Sequence, residues 1–190
     1  MSWDSQKRAA LHEAGHIIVA YVLSNKAHIA QGVGLGQVYN SSLLMTVWEG
    51  YSGPFGSNAM PSSDPEWVKA VAGFFAGKAA VATAIGRGLL PIAPLNIEQE
   101  PGDFGFLGGK DADQGRVQMF CERTSDAQLT CRLAWSCALI TTGQYFPQID
   151  SLSDWIVSNY QSTGLHMTSS PWTNPVIEVG YVETWLKENM

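Results

Sequence analysis

His12-Glu13-Ala14-Gly15-His16 has the residue types and spacing of a metal site. Residues four apart on an α-helix lie on one face, one turn from each other. Two imidazoles so placed can bind one zinc ion at about 2.0–2.1 Å each. Glu13, beside the first histidine, is positioned to reach a water on the metal rather than the metal itself. There it can act as general base and pass the proton to a leaving amine. Zinc in such a site lowers the pKa of the water and polarises a scissile carbonyl. The chemistry expected is hydrolysis of a peptide bond, with Glu13 as the catalytic residue. The competing reading is a chance motif on a helix of a structural protein. The flanks argue against it: Ala9, Ala10 and Leu11 precede the motif, and Ile17, Ile18 and Val19 follow it. A helix so flanked is buried, and buried His and Glu without partners are costly.

A catalytic zinc usually takes three protein ligands and keeps one position open. Residue types offer His28, His166 and the carboxylates Glu49, Glu66, Glu98, Glu100, Asp103, Asp111, Asp113 and Glu122 as the third. Composition and periodicity do not choose among them, and most of these acids, taken singly, fit a solvated surface. His28 opens a strand-like segment and reads as a partly exposed polar residue, while His166 lies in a loop near Met167 and Trp172. Gly32, Gly34 and Gly36 make no phosphate loop, because no Lys-Ser/Thr pair follows them. The tryptophans read as core or interface anchors.

The element that must carry the motif is a first helix over about 5–24, capped by Asp4 or Ser5. Leu11, Ala14, Ile18 and Val22 recur at helical spacing, and Ile17, Val19 and Tyr21 widen the apolar face. The glycines at 32–36 then break the pattern. Segments near 28–35 and 43–48 read as two or three short strands, and 50–63 as a loop rich in Gly, Pro and Ser. Asp64-Pro65-Glu66 starts a second helix that runs to about Ile85 and is rich in Ala and Gly, which allows close approach of another helix. Residues 86–109 read as a long irregular segment of the kind that often has a function. Helices are expected near 111–122, 125–145, 148–160 and 175–188, the last opened by Asn174-Pro175. The fold class expected is mainly α (α+β), with a small β-sheet after the first helix. A single domain over 1–190 is expected, with its core at about 5–125 and C-terminal helices at about 125–190.

Charge and composition narrow the function classes. The 190 residues carry a formal net charge of −6 and no basic run, which argues against nucleic acid and anionic membrane surfaces. Cys121, Cys131 and Cys137 are odd in number and have no CxxC spacing, so they suit reduced thiols in a cytoplasmic-type compartment. They are read as small core or near-surface residues that do not converge like metal ligands. No signal peptide is recognised, and the longest apolar stretches, such as 17–23, look too short to span a membrane.

The segment His12–Leu23, HEAGHIIVAYVL, resembles the start of the peptidase domain of FtsH-type proteases, zinc enzymes fused to an AAA ATPase. Three later segments fit the same order. Residues 28–36 (HIAQGVGLG) resemble the strand after the motif helix. Residues 75–80 (FAGKAA) resemble the family's glycine-arginine-alanine-alanine segment in the next long helix. Residues 109–117 (GKDADQGRV) resemble the segment holding the third zinc ligand, an aspartate. The match covers roughly 5–125, and only HEAGH is specific by itself. In that register the resemblance implies ligands His12, His16 and Asp113 on one zinc ion, with Asp111 as the next choice. The sequence departs from the pattern in two places. Val81 and Ala82 replace the acids that usually follow the Ala-Ala pair, and the stretch before Asp113 is longer than usual. These 190 residues also show no ATPase module, so any unfolding would come from another protein.

The resemblance therefore implies a zinc-dependent endopeptidase acting on accessible or unfolded polypeptides, held in extended form along the small sheet. The alternative is a peptidase-like module that keeps metal but only binds peptides or regulates a related protease. Family relatives form rings; self-association of this chain is not legible in its sequence.

Overall fold

The computed structural model describes residues 5–25, 32–40, 45–52, 61–92, 112–161 and 176–190. Its elements are α1 (Gln6–Leu23), β1 (Gly32–Asn40), β2 (Met45–Ser52), α2 (Asp64–Gly86), α3 (Ala112–Cys121), α4 (Ala127–Gln144), α5 (Phe146–Asn159), β3 (Val176–Glu178) and α6 (Val179–Asn189). The architecture is mainly α with a small three-stranded antiparallel sheet, the fold class expected from the sequence.

α1 begins where its first turn finds a cap. Ser5 is extended, and its hydroxyl accepts from the Arg8 amide at 3.1 Å. Every residue from Glu13 to Val19 is buried, and within the motif only His12 reaches partly toward solvent. It packs on α2, α5 and both long strands. The contact with α2 is at backbone distance. A Cβ added at Gly15 would lie 2.5 Å from the Ala76 carbonyl oxygen and 2.7 Å from the Ala80 methyl. The small residues of α2 thus serve the close approach that their sizes suggested.

Two apolar clusters flank this contact. One joins Leu11, Ile17 and Ile18 of α1 to Val33 and Leu35 of β1, Ile149, Leu152 and Ile156 of α5, and Val182 and Leu186 of α6. The other joins Val71, Phe74 and Phe75 of α2 to Val117 and Cys121 of α3 and Cys131, Ala134 and Ala138 of α4. Each fully buried aliphatic side chain contributes about 1.5–3 kcal/mol. Cys121 and Cys131 come together here, thiol hydrogen-bonded to thiol, across the α3–α4 turn, a pairing their sequence spacing did not suggest.

The sheet order is β2-β1-β3. Val33 faces Ser52 and Leu35 faces Gly50 across the β1–β2 pair, and cross-strand partners share a face. That face looks at α1.

The structure corrects two expectations. β2 continues to Ser52, into the segment read as a loop from residue 50. The C-terminal segment opens with a strand, not a helix: Val176 and Ile177 pair with Gly34 and Val33 before α6 begins. β-branched side chains fit a half-buried pleated surface, and that partner is invisible locally. The sheet lies after the first helix, as expected, and its third strand comes from the far end of the chain. α2 is long and apolar enough to cross a membrane by length and composition only, as the buried core helix of a globular fold also can be. Its most apolar stretch is 61% buried within the fold.

Candidate metal centre

α1, α2 and α3 together build one cluster of donor atoms. His12 and His16 come from the middle of α1, one turn apart. Asp113 comes from the first turn of α3, 97 residues beyond His16. An acid in a first turn is favoured by the helix dipole. α3 is fastened at its other end, where Val117 and Cys121 are buried and Phe120 stacks on Phe74 and tilts against Trp67.

His16 Nε2 is 3.0 Å from His12 Nε2 and 3.0 Å from Asp113 Oδ2, and His12 Nε2 is 3.4 Å from the same oxygen. Among the described residues, this is the one group of three or more His, Cys, Asp or Glu side chains that could hold a metal ion. Tetrahedral ligands about 2.0–2.1 Å from a zinc ion are separated by about 3.3 Å. The donor atoms are therefore spaced much like three corners of such a tetrahedron.

His16 is oriented from behind. Its Nδ1 donates to the Gly73 carbonyl on α2 at 2.7 Å. A carbonyl can only accept, so Nδ1 carries a hydrogen, and the ring in its neutral form presents its lone pair at Nε2. His12 is seated by an absence of side chain. A Cβ at Gly77 would lie 2.5 Å from His12 Nε2, so only glycine leaves room for the imidazole. Gly73 and Gly77 were read from sequence merely as small residues. The spacing that reveals their roles is that of α2 against α1, which is a tertiary quantity.

The same is true of Glu13. Its side chain is buried against β2, where the Ser52 hydroxyl donates to Oε2 and a Cβ at Gly50 would collide with Cγ. Neither Gly50 nor Ser52 carried a signal in the sequence beyond loop-like composition.

As proton carriers His16 and Asp113 form a pair. Burial alone lowers the His16 pKa, but the nearby Asp113 carboxylate overrides it and raises the value to about 9, helped by Glu13 and the Gly73 carbonyl. Burial raises the Asp113 pKa, but His16 and His12 hold it well below the usual carboxylate range.

Other candidates from the sequence are placed elsewhere. Glu49 is exposed on β2, and Glu122 is exposed just beyond α3. Glu66 accepts from the amide and hydroxyl of Ser62 at the start of α2, where it stabilises a helix end. His28, Glu98, Glu100, Asp103, Asp111 and His166 lie outside the described residues.

Two histidines and one carboxylate leave room for a fourth ligand, and a buried carboxylate sits one residue from the first ligand. Such a set can hold one divalent ion, bind a water at the open position and move a proton from it. Comparison with known protein families and with curated proteins finds no match.

Proposed function

We propose that the protein is a zinc-dependent endopeptidase that cuts accessible or unfolded polypeptide segments. The observation that carries this reading is the convergence of Asp113 Oδ2 on the two Nε2 atoms of the HExxH motif, with Glu13 held beside them. The residues fit a zinc ion by donor type, by separation and by the space that Gly77 leaves. His12, His16 and Asp113 would hold it. Bound there, zinc supplies Lewis acidity toward water and a carbonyl. Glu13 takes the proton of the attacking water and returns it to the leaving nitrogen. A two-histidine, one-carboxylate set also suits iron(II). Glu13, next to the first ligand, favours hydrolysis, since redox chemistry has no need of a base there.

Among the described residues β2 is an edge strand, and its Gly50 and Ser52 touch Glu13. A peptide adding to that edge in extended form would lie alongside the base, with main-chain hydrogen bonds providing affinity. Only an unstructured segment can add in this way, so compact domains should resist. The resemblance to FtsH-type peptidase domains agrees with this reading, and an unfoldase would then be a separate partner. A peptidase-like module that only captures peptides is the second reading, suggested by Val81 and Ala82 at the positions of the family's acids.

The test is cleavage of a casein-type unfolded substrate by zinc-loaded wild type beside Glu13→Gln. Wild type is expected to cut and the variant to retain zinc without cutting. Zinc retention without cleavage by either protein would transfer the conclusion to the capture module. A well-folded wild type that binds no zinc would refute both.

A further inference from the structure

The carboxylate of Glu13 has two oxygens, and the structure treats them differently. Oε2 accepts from the Ser52 hydroxyl, while Oε1 lies where a side chain on residue 50 would otherwise be. Gly50 and Ser52 are two apart on β2 and so share a face, the one directed at α1. One makes room for the acid and the other grips it.

We propose that Ser52 is a positioning residue for Glu13, fixing the carboxylate plane so that Oε1 is the oxygen left free to accept the proton. This rests on the peptidase reading above. The hydroxyl must spend its one hydrogen on Oε2, which makes that oxygen the poorer base. A general base acts well only when its lone pair is held within hydrogen-bond reach and direction of the proton. A freely rotating carboxylate would divide its time among other orientations. The device also links the base to the strand on which the substrate would lie, so that residues 50–52 serve the catalyst from one face and the peptide along the outer edge.

Two measurements test the assignment. The first is the side-chain carboxylate 13C resonance of Glu13 in metal-stripped protein, identified by its loss in Glu13→Gln. It is expected to move in Ser52→Ala and to return toward the wild-type position in Ser52→Thr, which restores a hydroxyl. The second is steady-state cleavage by the zinc-loaded proteins. Ser52→Ala is expected to lower kcat about ten-fold at unchanged KM and zinc content, with Ser52→Thr recovering most of the loss. An unmoved resonance in Ser52→Ala overturns the proposal whether or not the protein cleaves anything. So does a moved resonance with unchanged kcat. Wild type that cuts no substrate removes the peptidase reading itself, and that failure is seen before any substitution at residue 52.

Discussion

Gly77→Ala should separate metal binding from folding. The added Cβ would lie 2.5 Å from His12 Nε2 and 2.6 Å from Cδ2 and Cε1 of the same ring. Non-bonded heavy atoms in contact sit about 3.5–4.0 Å apart, so the ring must retreat by about 1 Å. Zinc–nitrogen bonds are held at about 2.0–2.1 Å, and a retreat of that size takes His12 out of coordination. Loss of an outer-shell partner alone costs about 10–100-fold in metal affinity. Loss of one of three ligands should therefore exceed about 100-fold, or about 2.7 kcal/mol. The backbone effect has the opposite sign, because alanine is favoured over glycine inside a helix by about 1 kcal/mol. His12 has somewhere to go, its side chain being 26% exposed. The variant should thus melt at the same temperature as wild type in EDTA, or higher, while losing zinc in competition titrations with a chromophoric chelator. Gly73→Ala is the control. A Cβ there meets nothing within 4 Å and the carbonyl that holds His16 is kept, so zinc affinity should not change. Gly77→Ala with wild-type zinc affinity would refute the seating of His12 against α2. Marked destabilisation in EDTA would refute the claim that the ring, not the helix pair, gives way.

Four further outcomes are expected. In metal-stripped protein the His16 ring should titrate near pH 9 by NMR, and in Asp113→Asn its midpoint should fall, because burial then meets less opposition. A histidine raised from its ordinary value of 6.5 contributes stability that is fully present below about pH 6.5 and lost as pH rises through about 9. Asp113, shifted down, contributes above the ordinary carboxylate range and loses that contribution as pH falls through it. The two are one pair and count once. Urea titrations of stripped wild type should show up to about 3 kcal/mol less stability at pH 9.5 than at pH 6.5, and Asp113→Asn a smaller difference; a flat wild-type profile would contradict the pairing. Gly50→Ala should keep zinc and lose cleavage at least about ten-fold, since the new methyl collides with Glu13 and not with a ligand. Full activity in that variant would show that Glu13 does not lie against β2. Ile177→Ala should cost about 3 kcal/mol in chemical denaturation, because this residue is fully buried between the sheet and the helices. A cost under about 0.5 kcal/mol would mean that the C-terminal strand is not part of the core.

The helical frame and half of the site follow from local chemistry. The i, i+4 spacing of His12 and His16 is a property of one helix, and so are the Ser5 cap and the burial implied by Ile17, Ile18 and Val19. α2 follows from its Asp64-Pro65-Glu66 start, and the ends of α2 and α4 lie within one or two residues of those expected. The remainder depends on what comes near in space. Eight carboxylates were possible third ligands by residue type, and distance in the fold is what brings Asp113 to the two imidazoles. The third strand could not be read at 176–178, because its hydrogen-bonding partner is β1, more than 140 residues away. Gly77, Gly50 and Ser52 matter for the space they leave or the hydrogen they donate to α1, and neither property shows in their own neighbourhoods. Periodicity encodes which face of an element is apolar. Only tertiary packing decides which two faces meet, and the candidate metal centre lies where the faces of α1, α2 and α3 do.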